Sequence, residues 1–488
     1  MSVKIVYEDL AVGADEAATV MSGDAQALSD LAELPFGLTA GKVATGEQGG
    51  WILSRSYRLF RTQKAAFWST AMSGSDGRFS TAPTITITFD GVFTSLGIAL
   101  VFDEPTNDWC NEVELTWYRG STVLHHQTFY PDSVTYFCEA TVESYDKIVI
   151  AINATKLPYR YARLSRVIFG IERVFNQAEL RKVHLIQQVN LISDEVSVNT
   201  MDFSLNSLSG LDYIFQTRQP LLAYDDDSLV GVFYIKSAKQ RTGNLYDIDS
   251  QDAIGVLDEE KISAKMYNAA PLEDALAEII GDAFEVDIDT ALSGATVTGY
   301  VPAGTRRQAL HVVAFGAMAL VDTSGTDKIR VFPARNSNPS VIPQNRIYVG
   351  GNVETETPLT TIRVTAHSYS TTGSGSDTIE VDGVTYYHTA TVTEIDNPLV
   401  SALDKRRVVE ISSATTVTPA NVSAIAQMVF DYYMRYNKHT AKIVMQGERP
   451  GDYVSTVVPW LDTVTGNITR MDITLSGFAA AEIEVIGS

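Results

Sequence analysis

Residues 196–258 constrain this chain more than any other stretch. They read Val-Ser-Val-Asn-Thr-Met-Asp-Phe-Ser-Leu-Asn at 196–206 and Gln-Pro-Leu-Leu-Ala-Tyr-Asp at 219–225. Leu-Val-Gly-Val-Phe-Tyr-Ile-Lys-Ser-Ala-Lys follows at 229–239, then Tyr-Asp-Ile-Asp-Ser-Gln-Asp-Ala-Ile-Gly-Val-Leu-Asp at 246–258. Apolar and polar residues alternate within most runs, and turn-forming residues separate them. This predicts antiparallel strands with one face buried and one wet. Val196, Val198, Met201, Phe203 and Leu205 keep period two except for a slip at Asn199 and Thr200, which reads as a bulge. Val230, Val232, Tyr234 and Lys236 fall on one face of their strand, Gly231, Phe233 and Ile235 on the other.

The rest of the chain is read around this block. A short strand opens at Val3, and a helix is expected over 24–34, stopped by Pro35. Residues 37–50 read as a Gly/Thr-rich loop. Strand candidates then recur at 84–89, 96–102, 112–118, 123–129, 133–140, 147–152 and 162–169, the spacing of a two-sheet sandwich. After residue 258 the pattern turns to helix. Pro271 opens one with Glu273 and Asp274 in its first turn, and Thr305 caps another in which Ala309, Leu310, Val313 and Ala317 face the core. A hairpin is expected around Ser324 and Gly325. Strands return after 344, and Thr418 with Pro419 opens a third helix.

The expected fold is therefore mainly β with α+β parts, in several domains. These are an N-terminal arm at 1–50, a β-sandwich at 51–175, a first β-domain at 176–268, a small α+β domain at 269–343, and a second β-domain with one helix at 344–488. A chain of 488 residues exceeds what one core usually holds.

The wording of these segments resembles phage tail proteins of the baseplate hub family. The strands at 196–258 carry the likeness first. Gly299-Tyr300-Val301-Pro302, Thr305 to Leu310, Ala319 to Ser324 and Lys328 to Pro333 carry it further, and Pro450-Gly451-Asp452-Tyr453-Val454 with the strands after Gly466 close it. It spans 176 to the C-terminus. The resemblance implies a homotrimeric ring with β-barrel domains that joins the tail tube or distal tail proteins to a tail-tip or spike protein. A tape-measure protein is a further partner. DNA would pass its channel without specific binding, and the protein would sit in the virion's tail baseplate after synthesis in the host cytoplasm. Residues 94–118 and 163–171 are similar to galactose-binding-like jelly rolls of the discoidin type.

Composition narrows the functions. A net charge of −22 argues against a nucleic-acid-binding surface, which needs Lys and Arg to displace counterions. No apolar run is long enough for a transmembrane helix, and the first ten residues lack the pattern of a secretory signal. Cys110 and Cys138 are the only cysteines. They read as buried thiols made in a reducing compartment, and a bridge between them stays open because both fall in one domain. Asp225, Asp226 and Asp227 read as a hairpin tip, since a calcium loop needs alternate acids, a Gly and a distal Glu. No nucleophile elbow, zinc motif or phosphate loop is present, so no catalytic residue, metal ligand or cofactor is assigned. The sequence is expected to end at the hub-type ending, without a hydrolase domain. Trp109, Trp117, Tyr118, Arg119, His125 and His126 are the candidates for glycan contact, since aromatic faces stack on sugars and Arg or His bonds hydroxyls. The competing reading makes Trp117 core and the histidines strand surface. Three functions stand: a structural hub, a glycan- or receptor-binding tail component, and a cell-wall hydrolase using paired carboxylates.

Overall fold

The computed structural model describes residues 3–11, 13–37, 47, 51–53, 59–61, 65–103, 107–207, 215–357, 359–374, 377–400, 407–458, 462–475 and 479–487. The chain is mainly β, with few helices. It divides into two compact units, Tyr7–Arg173 and Met1–Val6 with Val174–Ser488. The loop expected at 37–50 lies almost wholly outside the described residues.

In the Tyr7–Arg173 unit the main sheet runs Arg166–Ile168, Thr84–Val101, Thr135–Ala154, Glu112–Arg119, Thr122–Phe129, and Ala18–Met21 pairs with Thr84–Val101. Alternate residues turn inward: Ile85 and Ile87, Val113, Leu115 and Trp117, Ile148 and Ile150. They meet Phe67, Ala162 and Leu164 from the two-stranded sheet Phe67–Met72 with Tyr161–Leu164.

Two expectations change here. The pairs of strands expected at 84–89 with 96–102, and at 133–140 with 147–152, are single strands of 18 and 20 residues. What looked like breaks are register shifts between Thr88 and Gly97 that bend the ladder without ending it. Gly97 is required: its φ is 153°, and a Cβ there would stand 2.2 Å from the Cys138 carbonyl oxygen. The helix expected over 24–34 is replaced by turns and the short 3-10 helix Leu31–Glu33. Gln26 N–H donates to the Trp68 carbonyl at 2.8 Å and Asp30 N–H to the Ala66 carbonyl at 2.9 Å. The segment's amides thus find partners in a neighbouring strand, which removes the need for helix.

In the second unit one large sheet contains, in spatial order, Pro220–Asp225, Ser228–Thr242, Leu245–Gln251, Thr200–Asn206, Leu180–Gln188, Asp462–Leu475, Ala479–Gly487, Asn437–Val444 and Asn352–Thr355. The alternating block supplies the first part of this order and the C-terminal strands the rest. They join where Leu180–Gln188 pairs with Asp462–Leu475, Leu185 opposite Ile473. Asp226 and Asp227 form the expected hairpin tip. The strand Ser228–Thr242 is covered on both faces over its first half, since Val230, Val232, Phe233 and Ile235 are all buried.

The small α+β part packs helices Leu272–Ile280 and Arg306–Gly316 against the strands Lys265–Pro271, Thr296–Val301, Val286–Ile288, Ala319–Asp322 and Ile329–Pro333. Thr305 caps as expected. Its hydroxyl accepts from Gln308 N–H at 3.2 Å while Gln308 Oε1 accepts from Thr305 N–H at 2.9 Å. Pro271 is the residue before its helix, and Gly281, at φ 69°, ends it. The third helix, Val422–Tyr433, starts later than Thr418 and Pro419 suggest. Asn421 Oδ1 accepts from Thr418 N–H at 2.7 Å, and this local turn holds the first residues out of the helix. The helix buries Val422, Ile425, Ala426 and Val429 against a four-stranded sheet, Thr378–Val381, Val384–Asp396, Thr361–Ser370 and Val408–Ile411.

Candidate functional site

The segments that resemble hub proteins converge on one buried polar junction. Asn199, Asp252, Asp322, Thr323 and Ser324 are each at most 5% exposed. Asp252 caps the short helix Ala253–Leu257 by accepting from Gly255 N–H at 3.0 Å. Its other oxygen accepts from Asn199 N–H at 3.1 Å and from the Thr323 hydroxyl at 2.7 Å. The Asn199 amide nitrogen faces Thr323 Oγ1 at 3.0 Å, Ser324 Oγ at 3.3 Å and Asp322 Oδ1 at 3.4 Å, while its oxygen accepts from Gln188 N–H at 2.8 Å. Asp322 also accepts from the Ser324 hydroxyl at 2.7 Å and lies 3.5 Å from Arg330.

Burial pushes the Asp252 carboxyl up to about 6, against the pull of the Thr323, Gly255 and Asn199 donors. Burial likewise raises Asp322. The junction ties the sheet, a capping helix and the 319–333 hairpin together. Its acceptors are filled from within, so it is a clamp rather than a reaction centre. The slip at Asn199 and Thr200 is not a bulge. The strand begins at Thr200, and Asn199 turns its side chain into the junction. That break in alternation was the one signal of Asn199 in the sequence.

A second polar cluster lies on the seam between the two parts of the sheet. His184 is bonded by Nδ1 to Asp202 at 2.8 Å and by Nε2 to Asp472 at 2.7 Å, from the strands on either side, and Lys182 holds Asp202 at 3.0 Å. Partial burial lowers the imidazole's proton affinity, but the hydrogen bonds to Asp202 and Asp472 outweigh it and raise His184.

The glycan candidates are distributed rather than gathered. Trp117 is fully buried in the core of its unit. His125, directly opposite, shares that inward face, its ring centroid 5.6 Å from the indole. His126 points to the other face, where its Nδ1 meets Thr116 Oγ1 at 2.9 Å. Tyr118 lies opposite Lys147, whose ammonium sits 4.2 Å from the ring centroid, and exposed Arg119 donates to the Ser144 carbonyl at 2.9 Å. Trp109 precedes the strand Glu112–Arg119, near the end opposite Arg119, with Lys156 over its face at 3.3 Å. Cys110 and Cys138 are free buried thiols. Among the described residues no group of three or more His, Cys, Asp or Glu is placed to hold a metal, and no helix is long and apolar enough to cross a membrane.

No protein-family model matches the chain, and no curated protein matches it. Solved structures to which it is similar include three tail proteins, two of them from prophages. The tail protein from Neisseria meningitidis MC58 is 12% identical, with a TM-score of 0.47 over 64% of this chain and 93% of that one. The 43 kDa tail protein of prophage MuSo2 from Shewanella oneidensis is 10% identical, with a TM-score of 0.45 over 64% and 96%. Prophage tail protein gp18 from Listeria monocytogenes EGD-e is 10% identical, with a TM-score of 0.43 over 64% and 91%. At these identities and scores the likeness carries no argument about activity or partners.

Proposed function

We propose that this chain is a non-enzymatic structural component of a phage tail, a baseplate hub. Three copies would form a ring between tail tube and tail tip, around the channel through which the genome passes. The observation that carries the reading is the convergence described above. The segments worded like the hub family at 196–206, 246–258 and 319–324 supply the partners of one buried junction, Asn199, Asp252, Asp322, Thr323 and Ser324. Such a resemblance would be accidental wording if the residues had no shared physical task. The acidic balance of −22 fits a channel that repels phosphate. Light scattering on the purified chain, alone and mixed with its tail-tube protein, tests this. A trimer in either sample supports the ring, and a monomer in both refutes it.

A second reading gives the Tyr7–Arg173 unit a role in binding a host-surface glycan. What favours it is the outward face of Glu112–Arg119 and Thr122–Phe129, where Thr116, Tyr118 and His126 present polar and aromatic groups together. A glycan array probed with the full chain and with a Tyr118→Ala, His126→Ala variant tests it. Equal signal from both proteins, or none from either, removes this reading and leaves the hub untouched.

A further inference from the structure

His367 and His388 meet across two paired strands, Thr361–Ser370 and Val384–Asp396, with His388 opposite Tyr369 and His367 opposite Ala390. His367 Nδ1 and His388 Nε2 are 2.9 Å apart. The far nitrogens are also engaged: His367 Nε2 lies 3.0 Å from the Ser412 carbonyl oxygen, and His388 Nδ1 lies 2.6 Å from Asp377 Oδ2. His367 is 7% exposed.

The ring geometry is decisive. The planes are 17° from parallel and the centroids 5.2 Å apart. Face-to-face stacking would keep the facing atoms farther apart than 2.9 Å, since carbon contacts settle at about 3.5 Å. The centroid distance instead matches the N···N separation plus the half-widths of two five-membered rings. The rings therefore lie edge to edge in nearly one plane, with the near nitrogens aimed at each other. A metal bound between them would need about 2.0–2.1 Å to each nitrogen, and a head-on pair 2.9 Å apart leaves no such room.

The hydrogens can then be assigned. A carbonyl oxygen only accepts, so His367 Nε2 carries a proton. A carboxylate oxygen likewise accepts, so His388 Nδ1, 2.6 Å from Asp377 Oδ2, carries a proton. A neutral imidazole has one N–H. Two neutral rings would spend both at the far ends and leave two lone pairs facing each other. The contact needs a third proton. Burial, with the neighbouring charge of His388 second, pushes His367 down, so its near nitrogen is the acceptor in the shared contact.

We propose that His367 and His388 form a proton-sharing pair that carries one positive charge at neutral pH and fastens Asp377, immediately before the strand Thr378–Val381, to the sheet. The other groups on this face do not supply the missing proton. Tyr369 is held neutral by burial, Tyr300 packs beside it, and Tyr386 lies two residues along the same strand face. Arg363 and Glu394 pair with each other at 2.8 Å farther along, with Glu410 opposite Arg363. The helix Val422–Tyr433 covers the other face of the sheet, through Ile362, Val364 and Ala366. The closed arrangement binds the third proton and the open one does not. Closure is therefore present at the lower pH and lost as pH rises through the pair's titration. A fourth proton in acid would set two N–H groups against each other, so the clasp opens on that side too.

The test is a long-range ¹H–¹⁵N spectrum of the full chain labelled with ¹⁵N-histidine, from about pH 5 to about pH 10. His367→Gln and His388→Gln assign the pair among the seven histidines. At neutral pH the proposal requires one ring protonated on both nitrogens and the other as the Nε2–H tautomer. In alkali the amide of His388, which donates to the Asp377 carbonyl at 3.0 Å, should lose at least tenfold in exchange protection after correction for intrinsic exchange. In His388→Gln the amide donates to His367 Nδ1 without an added proton, so that loss should vanish. Two neutral imidazoles at neutral pH overturn the proposal. So does an alkaline loss of equal size in His388→Gln. Should that variant fail to fold, the wild-type spectrum decides alone.

Discussion

Replacing Asn199 by alanine is the sharpest test of the buried junction. The Asn199 side chain makes one bond from the Gln188 amide at 2.8 Å, and its two amide hydrogens serve two of the three acceptors within 3.4 Å. Alanine removes all of these without offering water a route, because Asn199 is 2% exposed. A lost hydrogen bond costs roughly 1 kcal/mol net, and a buried group left without a partner costs more, so the expected loss is about 3 kcal/mol. Tryptophan fluorescence is the wrong probe, since four of the five tryptophans fall in the Tyr7–Arg173 unit. Amide exchange read by mass spectrometry on Thr200–Asn206, Leu245–Gln251 and Ala319–Asp322 reports the right region. Protection there should fall about a hundredfold. A loss below about 1 kcal/mol would mean that the junction is incidental to the fold.

The same junction has a pH signature. Asp252 titrates at about 6 in the folded chain against an ordinary value of 3.8. Between those values the folded state keeps a proton that the unfolded chain has released. Stability from this group is highest below the ordinary value and declines as pH rises to about 6, by roughly 3 kcal/mol at most. Asp322 adds to the same trend. Asn199→Asp would set a third carboxylate between these two. It should cost more than Asn199→Ala at neutral pH and regain stability in mild acid, whereas Asn199→Ala, which only removes one donor to Asp322, should alter the wild-type pH slope less. Parallel slopes for the two variants would refute the electrostatic part of the reasoning.

Other perturbations have definite outcomes. Trp117→Ala empties the largest fully buried site on its strand and should cost about 3–5 kcal/mol, read from thermal unfolding of the Tyr7–Arg173 unit. Cys110, pushed up to about 12 by burial, and Cys138, raised for the same reason, should not react with a thiol reagent at mildly alkaline pH until the chain is denatured, when both should react. His184→Ala should weaken the seam. The wild-type seam itself should hold best below the ordinary histidine value and loosen as pH rises through the raised one, seen as exchange in Leu180–Gln188. Gly466→Ala would bring a Cβ to 2.1 Å from the Ile486 carbonyl oxygen, so pairing of Asp462–Leu475 with Ala479–Gly487 should fail locally and the melting temperature should drop.

What the sequence displayed and what it concealed follow from the range of the interactions. Alternation is local, so the strands Thr200–Asn206, Pro220–Asp225 and Leu245–Gln251 were legible, as was the Thr305 cap with its Gln308 partner three residues on. The segment at 24–34 spaces its apolar residues as a helix would, but bonds to Ala66 and Trp68 far along the chain override that spacing. The long strands Thr84–Val101 and Thr135–Ala154 were divided because glycine and bulges resemble turns when read without a partner strand. Pairing of Leu180–Gln188 with Asp462–Leu475 joins residues nearly three hundred positions apart, and nothing local announces it. The same holds for His184 between two aspartates and for the meeting of His367 with His388.

Asn199 lies between these cases. Its position breaks an otherwise regular alternation, and in the sequence alone such a break has the form of a bulge. In the folded chain the break is chemical. A polar side chain is placed inward because the buried Asp322 carboxylate and the Thr323 and Ser324 hydroxyls converge on it, while the Asp252 carboxylate takes the backbone N–H of the same residue. Buried carboxylates are tolerated only where donors meet them. An inward polar residue in one strand, read together with a Thr-Ser pair after an aspartate in a distant hairpin, is therefore a statement about contact. Irregularities of that kind carry long-range information that the regular positions do not.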